Sequence, residues 1–396
     1  MVHGMNSRLR SLDVFRGATV ALMILVNNPG SWNHLYPPLA HADWHGCTPT
    51  DLVFPFFLFA VGNALAIVMP RFLAGPASAF WVKVAKRVLL IFAIGLFLNI
   101  SPFVRWDAAG ELVPRSLETL RVMGVLQRIA LAFGAAAIIV WVFGQRATLW
   151  AAAVLLLGYW VACLAFANGP DPYSLEGFFG TALDRALLGP MHLYKGEGVP
   201  FDPEGLASTL PAVAQVLLGC WVGQMVMAAD KPGPALVSRL FLWATALLVL
   251  GYLWQLQMPL NKKIWTSSYV LVTTGLAMMA LATLLHLIEV RHKPGALFGW
   301  ASFFEVFGKN PLFVFVLAGF VPRVLALVRW PDGATPEGAV LWMSPLRWVY
   351  KYLMAPLGDM FTADPRLGSF LFALANLSLY WLVAWWLDRR RIYIRV

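Results

Sequence analysis

The sequence predicts an all-α integral membrane protein of about ten transmembrane helices, with both termini on the cytoplasmic side. Three observations carry that prediction. Of the 396 residues, 60% are hydrophobic and 13% charged, about half the charged share of an ordinary soluble domain. The apolar residues gather into runs of about 20, the length a helix needs to cross hydrocarbon. Lys and Arg recur at every second connection between those runs, as positive-inside ordering requires.

Taken in order, the runs centre near Ala21, Leu58, Ile91, Ala132, Leu155, Leu217, Leu247, Ala280, Val316 and Leu377. The first follows Arg8 and Arg10 with no small-residue cleavage site, so it reads as a span instead of a removable leader. The basic clusters Arg8/Arg10, Arg71/Lys83/Lys86/Arg87, Arg146, Lys231/Arg239, Arg291/Lys293 and Arg389/Arg390/Arg391/Arg395 mark the cytoplasmic side. Loops 28–49, 101–119, 168–206, 258–265 and 330–366 then lie outside, and they are rich in Pro, Gly, Trp and Tyr. Within the last of them, 338–359 is expected to hold a helix along the membrane surface, because Trp342, Leu346, Trp348 and Tyr350 interleave with Arg347 and Lys351. No internal repeat or low-complexity stretch divides the chain, so residues 1–396 are expected to form a single membrane domain.

The net charge of +10 is accounted for by cytoplasmic Lys and Arg together with an anionic ligand; nucleic acid is not expected. Cys47, Cys163 and Cys220 are widely spaced without a CxxC pair, which excludes a disulfide framework and a zinc site. His34, His41 and His45 share a loop without metal-ligand spacing, so no metal is expected.

Polar groups near hydrocarbon are costly and persist where they pair, sit near helix ends or line a wet cavity. Asp13, Arg16, Asn27, Asp51, Asn63, Asn99, Gln127, Arg128, Gln215, Gln224, Glu305, Lys309, Asn310 and Arg323 are of this kind. Asp13 and Arg16, three apart, suit an ion pair as well as a functional site. Arg128, within Gly124-Val125-Leu126-Gln127-Arg128, lies deeper in its span. Gly308-Lys309-Asn310-Pro311 is expected to break the ninth span, and a cation there suits a phosphate ligand or simply a snorkelling lysine.

The loop between the first two spans is the most informative segment. It runs Asn27-Asn28-Pro29-Gly30, then His41-Ala42-Asp43-Trp44-His45-Gly46-Cys47-Thr48-Pro49-Thr50-Asp51. His41 stands ten residues before Asp51 and fourteen after Asn27. A carboxylate beside an imidazole fixes its tautomer, as a general base requires. His34 and His45 read as ordinary surface residues. On the same outer side, Leu260-Asn261-Lys262-Lys263-Ile264-Trp265 brings an amide, cations and an indole together, either as a sugar-binding surface or as an interfacial anchor. Asp202-Pro203-Glu204-Gly205 and Asp184-Arg185 with His192-Leu193-Tyr194 add polar groups in the largest outer loop.

These segments, with Arg8-Leu9-Arg10-Ser11-Leu12-Asp13-Val14-Phe15-Arg16-Gly17, Asp51-Leu52-Val53-Phe54-Pro55-Phe56-Phe57 and Gly124–Arg128, resemble the heparan-α-glucosaminide N-acetyltransferase family, most closely its bacterial NagX type. The matching motifs run in order from residue 8 to about 310. A broader group of membrane acyltransferases is less similar, since a histidine there ends the first span where this chain has Asn27. The resemblance implies a transmembrane acetyltransferase of the bacterial inner membrane, moving an acetyl group from cytoplasmic acetyl-CoA to the amine of a glucosamine-type sugar on the periplasmic side. It also implies a homodimer. A free amino sugar is the expected acceptor, because no counterpart of the lysosomal relatives' N-terminal lumenal domain is found in the sequence.

On that resemblance His41 matches the catalytic histidine, as general base or transient acetyl carrier, and Asn27 its nearby asparagine, with Asp51 as the supporting carboxylate. Arg16, Arg87, Gln127, Arg128, Lys309 and Asn310 are the expected coenzyme contacts. Trp44, Asn261, Lys262, Trp265, Asp202 and Glu204 are the expected acceptor contacts. Two rival classes remain: an amino-sugar permease using the same polar cavity without acyl chemistry, and a structural membrane subunit, which would leave the His41 cluster without a role.

Overall fold

The computed structural model describes residues 9–229, 231–291, 298–335, 338 and 340–394. The basic residues Arg8, Lys293 and Arg395 lie outside them. Helices dominate: α1 Arg10–Asn27, α2 Val53–Leu73, α3 Ala77–Ile100, α4 Val125–Phe143, α5 Thr148–Ala165, α6 Phe179–Leu188, α7 Thr209–Met227, α8 Pro234–Trp254, α9 Ser267–Leu285, α10 Phe298–Lys309, α11 Pro311–Leu325, α12 Pro345–Val349, α13 Ala355–Asp359 and α14 Pro365–Arg389. Among the described residues, seven helices are long and apolar enough to cross a membrane, and the bent pair α10–α11 makes an eighth. The helices α1 and α3 cover two further expected centres, Ala21 and Ile91. Arg10, Asp13 and Arg16 lie within α1, and Lys83, Lys86 and Arg87 within the first half of α3.

Local chemistry explains the helix starts. Thr48 and Asp51 form a reciprocal capping box with Pro49 at the first position, which launches the turn leading into α2. Asp364 accepts from the Arg366 amide at 3.0 Å and Pro365 follows it, opening α14. Pro311 cannot continue α10, and the two helices meet at 79°. The break expected at Gly308–Pro311 is therefore a sharp bend between separate helices.

The two largest of four buried clusters among the described residues organise the helices. The larger core joins α2, α3, α4, α5, α7, α8 and α9, and the smaller joins α1, α10, α11 and α14. Within membranes, helices associate through close backbone approach at small residues. A side chain at Gly62 of α2 would strike the Val216 carbonyl of α7, and one at Gly219 the Phe59 carbonyl. The crossing of α1 with α10 has the same character, since a side chain at Gly17 would strike the Phe304 carbonyl and one at Gly308 the Asp13 carbonyl. Large apolar residues such as Leu89, Trp150, Val154, Leu242, Leu253 and Leu382 face outward, as a hydrocarbon-facing surface requires.

Two short hairpins decorate the loops: β1 Val104–Trp106 with β2 Leu112–Pro114, and β3 Trp330–Ala334 with β4 Val340–Met343. The stretch 338–359 holds a helix as expected, but only over 345–359; the second hairpin corrects its first part. Residues 340–343 pair as a strand, and helical structure begins at Pro345, continues through a wider turn at Tyr350–Met354 and ends at Asp359. The β-branched and aromatic residues Val340 and Trp342 favour the pleated form.

Candidate active site

Asp51 is the centre of the loop that precedes α2. Its side chain is 1% exposed. One oxygen, Oδ2, accepts from the Ala42 and Thr48 amides at 3.1 and 3.0 Å and from the Thr48 hydroxyl at 3.1 Å. The other, Oδ1, lies 2.7 Å from Nδ1 of His41. The Tyr269 hydroxyl of α9 donates to the Asp51 carbonyl at 2.5 Å. Backbone and side chain are thus both held, and the carboxylate is aimed at the imidazole.

An ionised carboxylate only accepts, so this bond puts the His41 proton on Nδ1 and leaves Nε2 as a lone-pair base. The ring is 42% exposed while its carboxylate is enclosed, which presents the free edge to the surroundings. Lys262 approaches the same pair, its Nζ 3.0 Å from His41 Nδ1 and 3.3 Å from Asp51 Oδ1. With the Nδ1 proton directed at Asp51, the ammonium donates to the carboxylate and stands beside the imidazole as a charge. Burial pulls Lys262 below the usual lysine range, against the opposing attraction of Asp51 and Glu204. Cys47, close by, is pushed up to about 12 by burial and by Asp51, with Lys262 opposing, so its thiol stays protonated and inert.

A tight loop delivers Lys262. The Asn261 amide donates to the Thr266 hydroxyl, its side-chain oxygen accepts from the Ile264 amide, and the Thr266 amide donates to the Asn261 carbonyl, all at 3.0 Å. The Gly46 amide donates to the Leu260 carbonyl at 2.7 Å, which locks this loop against the His41 loop. Asn261 is accordingly buried, its side-chain oxygen spent on the loop and its Nδ2 3.4 Å from His45 Nδ1 across it. Trp44 donates its indole N–H to the Tyr173 carbonyl at 2.9 Å, leans on Phe201 and lies under the Lys263 ammonium.

The other predicted catalytic and acceptor residues fall into three places. Asn27 ends α1, is exposed, and makes no hydrogen bond to His41 or Asp51 among the described residues. Trp265 is buried beneath the site against Phe54, Tyr269 and the Arg128 guanidinium, so its face is not presented to an acceptor. Asp202 and Glu204 are gripped by Arg121, whose Nε and Nη2 donate to Asp202 at 2.8 and 2.7 Å while Nη2 also donates to Glu204. Burial works against the Arg121 charge, but the two carboxylates outweigh it and raise its pKa.

Arg128 lies at the same end of the molecule as His41. It is fully buried and donates to the Pro203 and Gly205 carbonyls and the Ser208 hydroxyl, pinning the 203–208 loop. Its neighbour Gln127 packs against Gly95 and Gly124. The opposite end holds the other expected coenzyme contacts. Arg16 reaches Asp13 at 3.6 Å and the Gly308 carbonyl at 3.1 Å, and Arg87 lies near it, over the Phe133 ring. Lys309 pairs with Asp388 at 2.9 Å and Glu305 at 3.4 Å. Asn310, buried, donates to the Ile392 carbonyl and accepts from the Ile394 amide.

A family model described as a domain of unknown function (DUF5009) matches residues 8–112, the stretch that contains α1, the His41 loop, α2 and α3. The heparan-alpha-glucosaminide N-acetyltransferase of Homo sapiens is 28% identical over 363 residues, covering 78% of this chain and 52% of that protein. The Mus musculus protein of the same name is 27% identical over 364 residues, covering 78% and 53%. The chain is a homologue of these N-acetyltransferases. It spans about half their length. Their name and the apolar helices together bear out the acetyltransferase resemblance and the membrane character.

Sequence reasoning missed Lys262 as a neighbour of His41, having read it as part of an acceptor surface. It also missed Arg121 entirely. The signal for Arg121 was present, since Asp202 and Glu204 are two carboxylates in one short loop and need a shared cation once buried.

Proposed function

We propose that this chain is a transmembrane acetyltransferase carrying an acetyl group from cytoplasmic acetyl-CoA to the amine of a glucosamine-type sugar on the far side of a bacterial inner membrane. The observation that carries the reading is the 2.7 Å contact between His41 Nδ1 and the buried Asp51 carboxylate. A ten-span arrangement with cytoplasmic termini and a homodimer is part of the same proposal. So is acetyl-CoA as the donor.

The chemistry follows from the acceptor. A protonated amine is no nucleophile, and the neutral amine must lose a proton as it bonds to the thioester carbon. His41 Nε2 takes that proton while Asp51 holds Nδ1–H and supports the imidazolium. The carbonyl π electrons move to oxygen, giving a tetrahedral oxyanion. The amide of Asn27 and the ammonium of Lys262 are the donors proposed for it. Collapse re-forms the carbonyl and breaks the carbon–sulfur bond, and His41 returns its proton to the thiolate, giving coenzyme A and the N-acetyl sugar. Trp44 offers a partly exposed ring face beside this centre.

Arg16 and Arg87 are assigned to the coenzyme's phosphates. Two guanidiniums within electrostatic reach of each other suit a polyanion, and Arg16 stands eleven residues before Asn27, about 16 Å along α1. The long flexible arm of the coenzyme bridges such a distance. Lys309 and Asn310 already serve Asp388 and residues 392–394, so they contribute less.

The test is transfer by purified protein in detergent with radiolabelled acetyl-CoA and glucosamine, wild type beside His41→Ala. Labelled N-acetylglucosamine from the wild type alone supports the proposal. Intact acetyl-CoA, with labelled sugar crossing proteoliposomes independently of coenzyme, would replace it with the permease reading.

A further inference from the structure

A second polar cavity lies outside the His41 centre. Its volume is about 280 Å³, and it is lined by Asn99, Arg105, Arg115, Ser116, Thr119 and Arg121 among others. The hairpin β1–β2 builds one wall. Arg105 sits within β1, opposite Val113 of β2, and the Arg115 amide donates to the Phe103 carbonyl at 2.8 Å just beyond the pair. The floor is the end of α3, where Asn99 donates to the Arg121 and Met123 carbonyls at 2.8 and 3.0 Å and fixes the path of 121–123.

The charge here is one-sided. Arg121 is satisfied by Asp202 and Glu204 on its far side. Neither Arg105 nor Arg115 has a carboxylate within ion-pair distance among the described residues. A fourth guanidinium, Arg323 of α11, lies within electrostatic reach of Arg115 and Arg121 and spends its own donors on the Leu98 carbonyl and the Ser101 hydroxyl. Arg105 and Arg115 therefore present forked donors that no carboxylate of the described residues occupies, and such planar forks match the oxygens of a tetrahedral anion. The Ser116 hydroxyl, which accepts from the Glu118 amide at 3.1 Å, keeps its own proton to donate, and the Thr119 hydroxyl, held at 3.4 Å to the Ser116 carbonyl, can turn to give a second donor.

We infer that this cavity is a binding site for an oxyanion of the phosphate or sulfate class, held by Arg105 and Arg115 with Ser116 and Thr119, at the same end of the molecule as His41. Two sources carry that chemistry. One is a soluble anion or anionic sugar, and the other is the headgroup of a phospholipid, since the cavity opens where α3 and α11 end. The assignment does not depend on the acetyl-transfer reading, because binding is measured without turnover.

The experiment uses the full chain in detergent and follows thermal unfolding against inorganic phosphate and inorganic sulfate, with sodium chloride at matched ionic strength as reference. Wild type, Arg105→Ala/Arg115→Ala and Arg105→Lys/Arg115→Lys are compared. A saturable rise in midpoint beyond the chloride reference, weakened at least tenfold in the alanine pair and partly restored in the lysine pair, supports the site with a soluble ligand. Native mass spectrometry after incubation with phosphatidylglycerol or phosphatidylcholine supplies the second arm. Retention of phosphatidylglycerol by the wild type and its loss from the alanine pair supports the site with a lipid ligand. Both arginines are exposed, so the variants are expected to fold. Should they not, Ser116→Ala/Thr119→Ala, which leaves all four guanidiniums in place, is read in the same two assays. Anion response and lipid retention that are unchanged by these substitutions would overturn the assignment.

Discussion

Asp51 accepts the Nδ1 proton of His41 across 2.7 Å while the same carboxylate, through its second oxygen, caps the start of α2. The proposed base and the fold therefore hang on one side chain. His41→Ala is expected to lower kcat by 10²–10⁴-fold, the usual span for a removed general base, with a smaller fall in melting midpoint than Asp51→Asn because Lys262 still faces the carboxylate at 3.3 Å. Asp51→Asn is expected to lower both. Loss of a buried, hydrogen-bonded charge costs about 3–5 kcal/mol, so thermal unfolding alongside turnover separates the two variants.

Lys262→Met removes a cation that stands 3.0 Å from the imidazole and 3.3 Å from Asp51. If the ammonium meets the oxyanion, kcat falls by about 10²-fold or more with little change in KM. An unchanged kcat with a raised KM would instead make Lys262 a contact for the acceptor in its ground state.

The α1–α10 crossing is expected to be intolerant of bulk. A single methyl at Gly17 would strike the Phe304 carbonyl, a backbone atom that cannot rotate away. Gly17→Ala is expected to destabilise by about 1–3 kcal/mol, and Gly17→Val to leave no folded monodisperse protein. Size-exclusion profiles and melting midpoints in one detergent would check both.

Asp184 supplies a pH dependence. Burial raises its carboxyl to about 6, with the Leu206 amide opposing and Asp202 adding. The folded chain thus keeps a proton that the unfolded chain loses near the ordinary 3.8. Stability from this group is fully present below pH 4 and disappears as pH rises to about 6, a change on the order of 3 kcal/mol. Melting midpoints between pH 4 and pH 7 should therefore fall in wild type relative to Asp184→Asn, which has no proton to lose.

Much of this arrangement was legible in the chain. Hydropathy located a helix at every expected centre, because an apolar run of about 20 residues satisfies its backbone most readily as a helix. The His41–Asp51 pair was legible because both residues flank one helix start, where loop length limits separation. The contacts that failed to appear are those between distant segments. Lys262 is 221 residues from His41 and Arg121 is 81 from Asp202, and no periodicity encodes such meetings. Trp265 shows the opposite error. Its place beside Asn261 and two lysines suggested a sugar-binding surface or an interfacial anchor, yet the indole is buried against Phe54, Tyr269 and Arg128. Arg128 misled for a related reason, since a deep arginine serves loop carbonyls as readily as it serves a phosphate.

Asn310 closes the bend between α10 and α11 by pairing with Ile392 and Ile394 through both ends of its amide. The angle at the middle of one broken helix is thereby tied to a segment more than eighty positions further along, which acts as a splint. Anything that pulls on residues 392–394, whether a fused tag or a bound partner, would act on that elbow and, through the close α1–α10 crossing, on the helix that carries Arg16 at one end and leads to the His41 loop at the other.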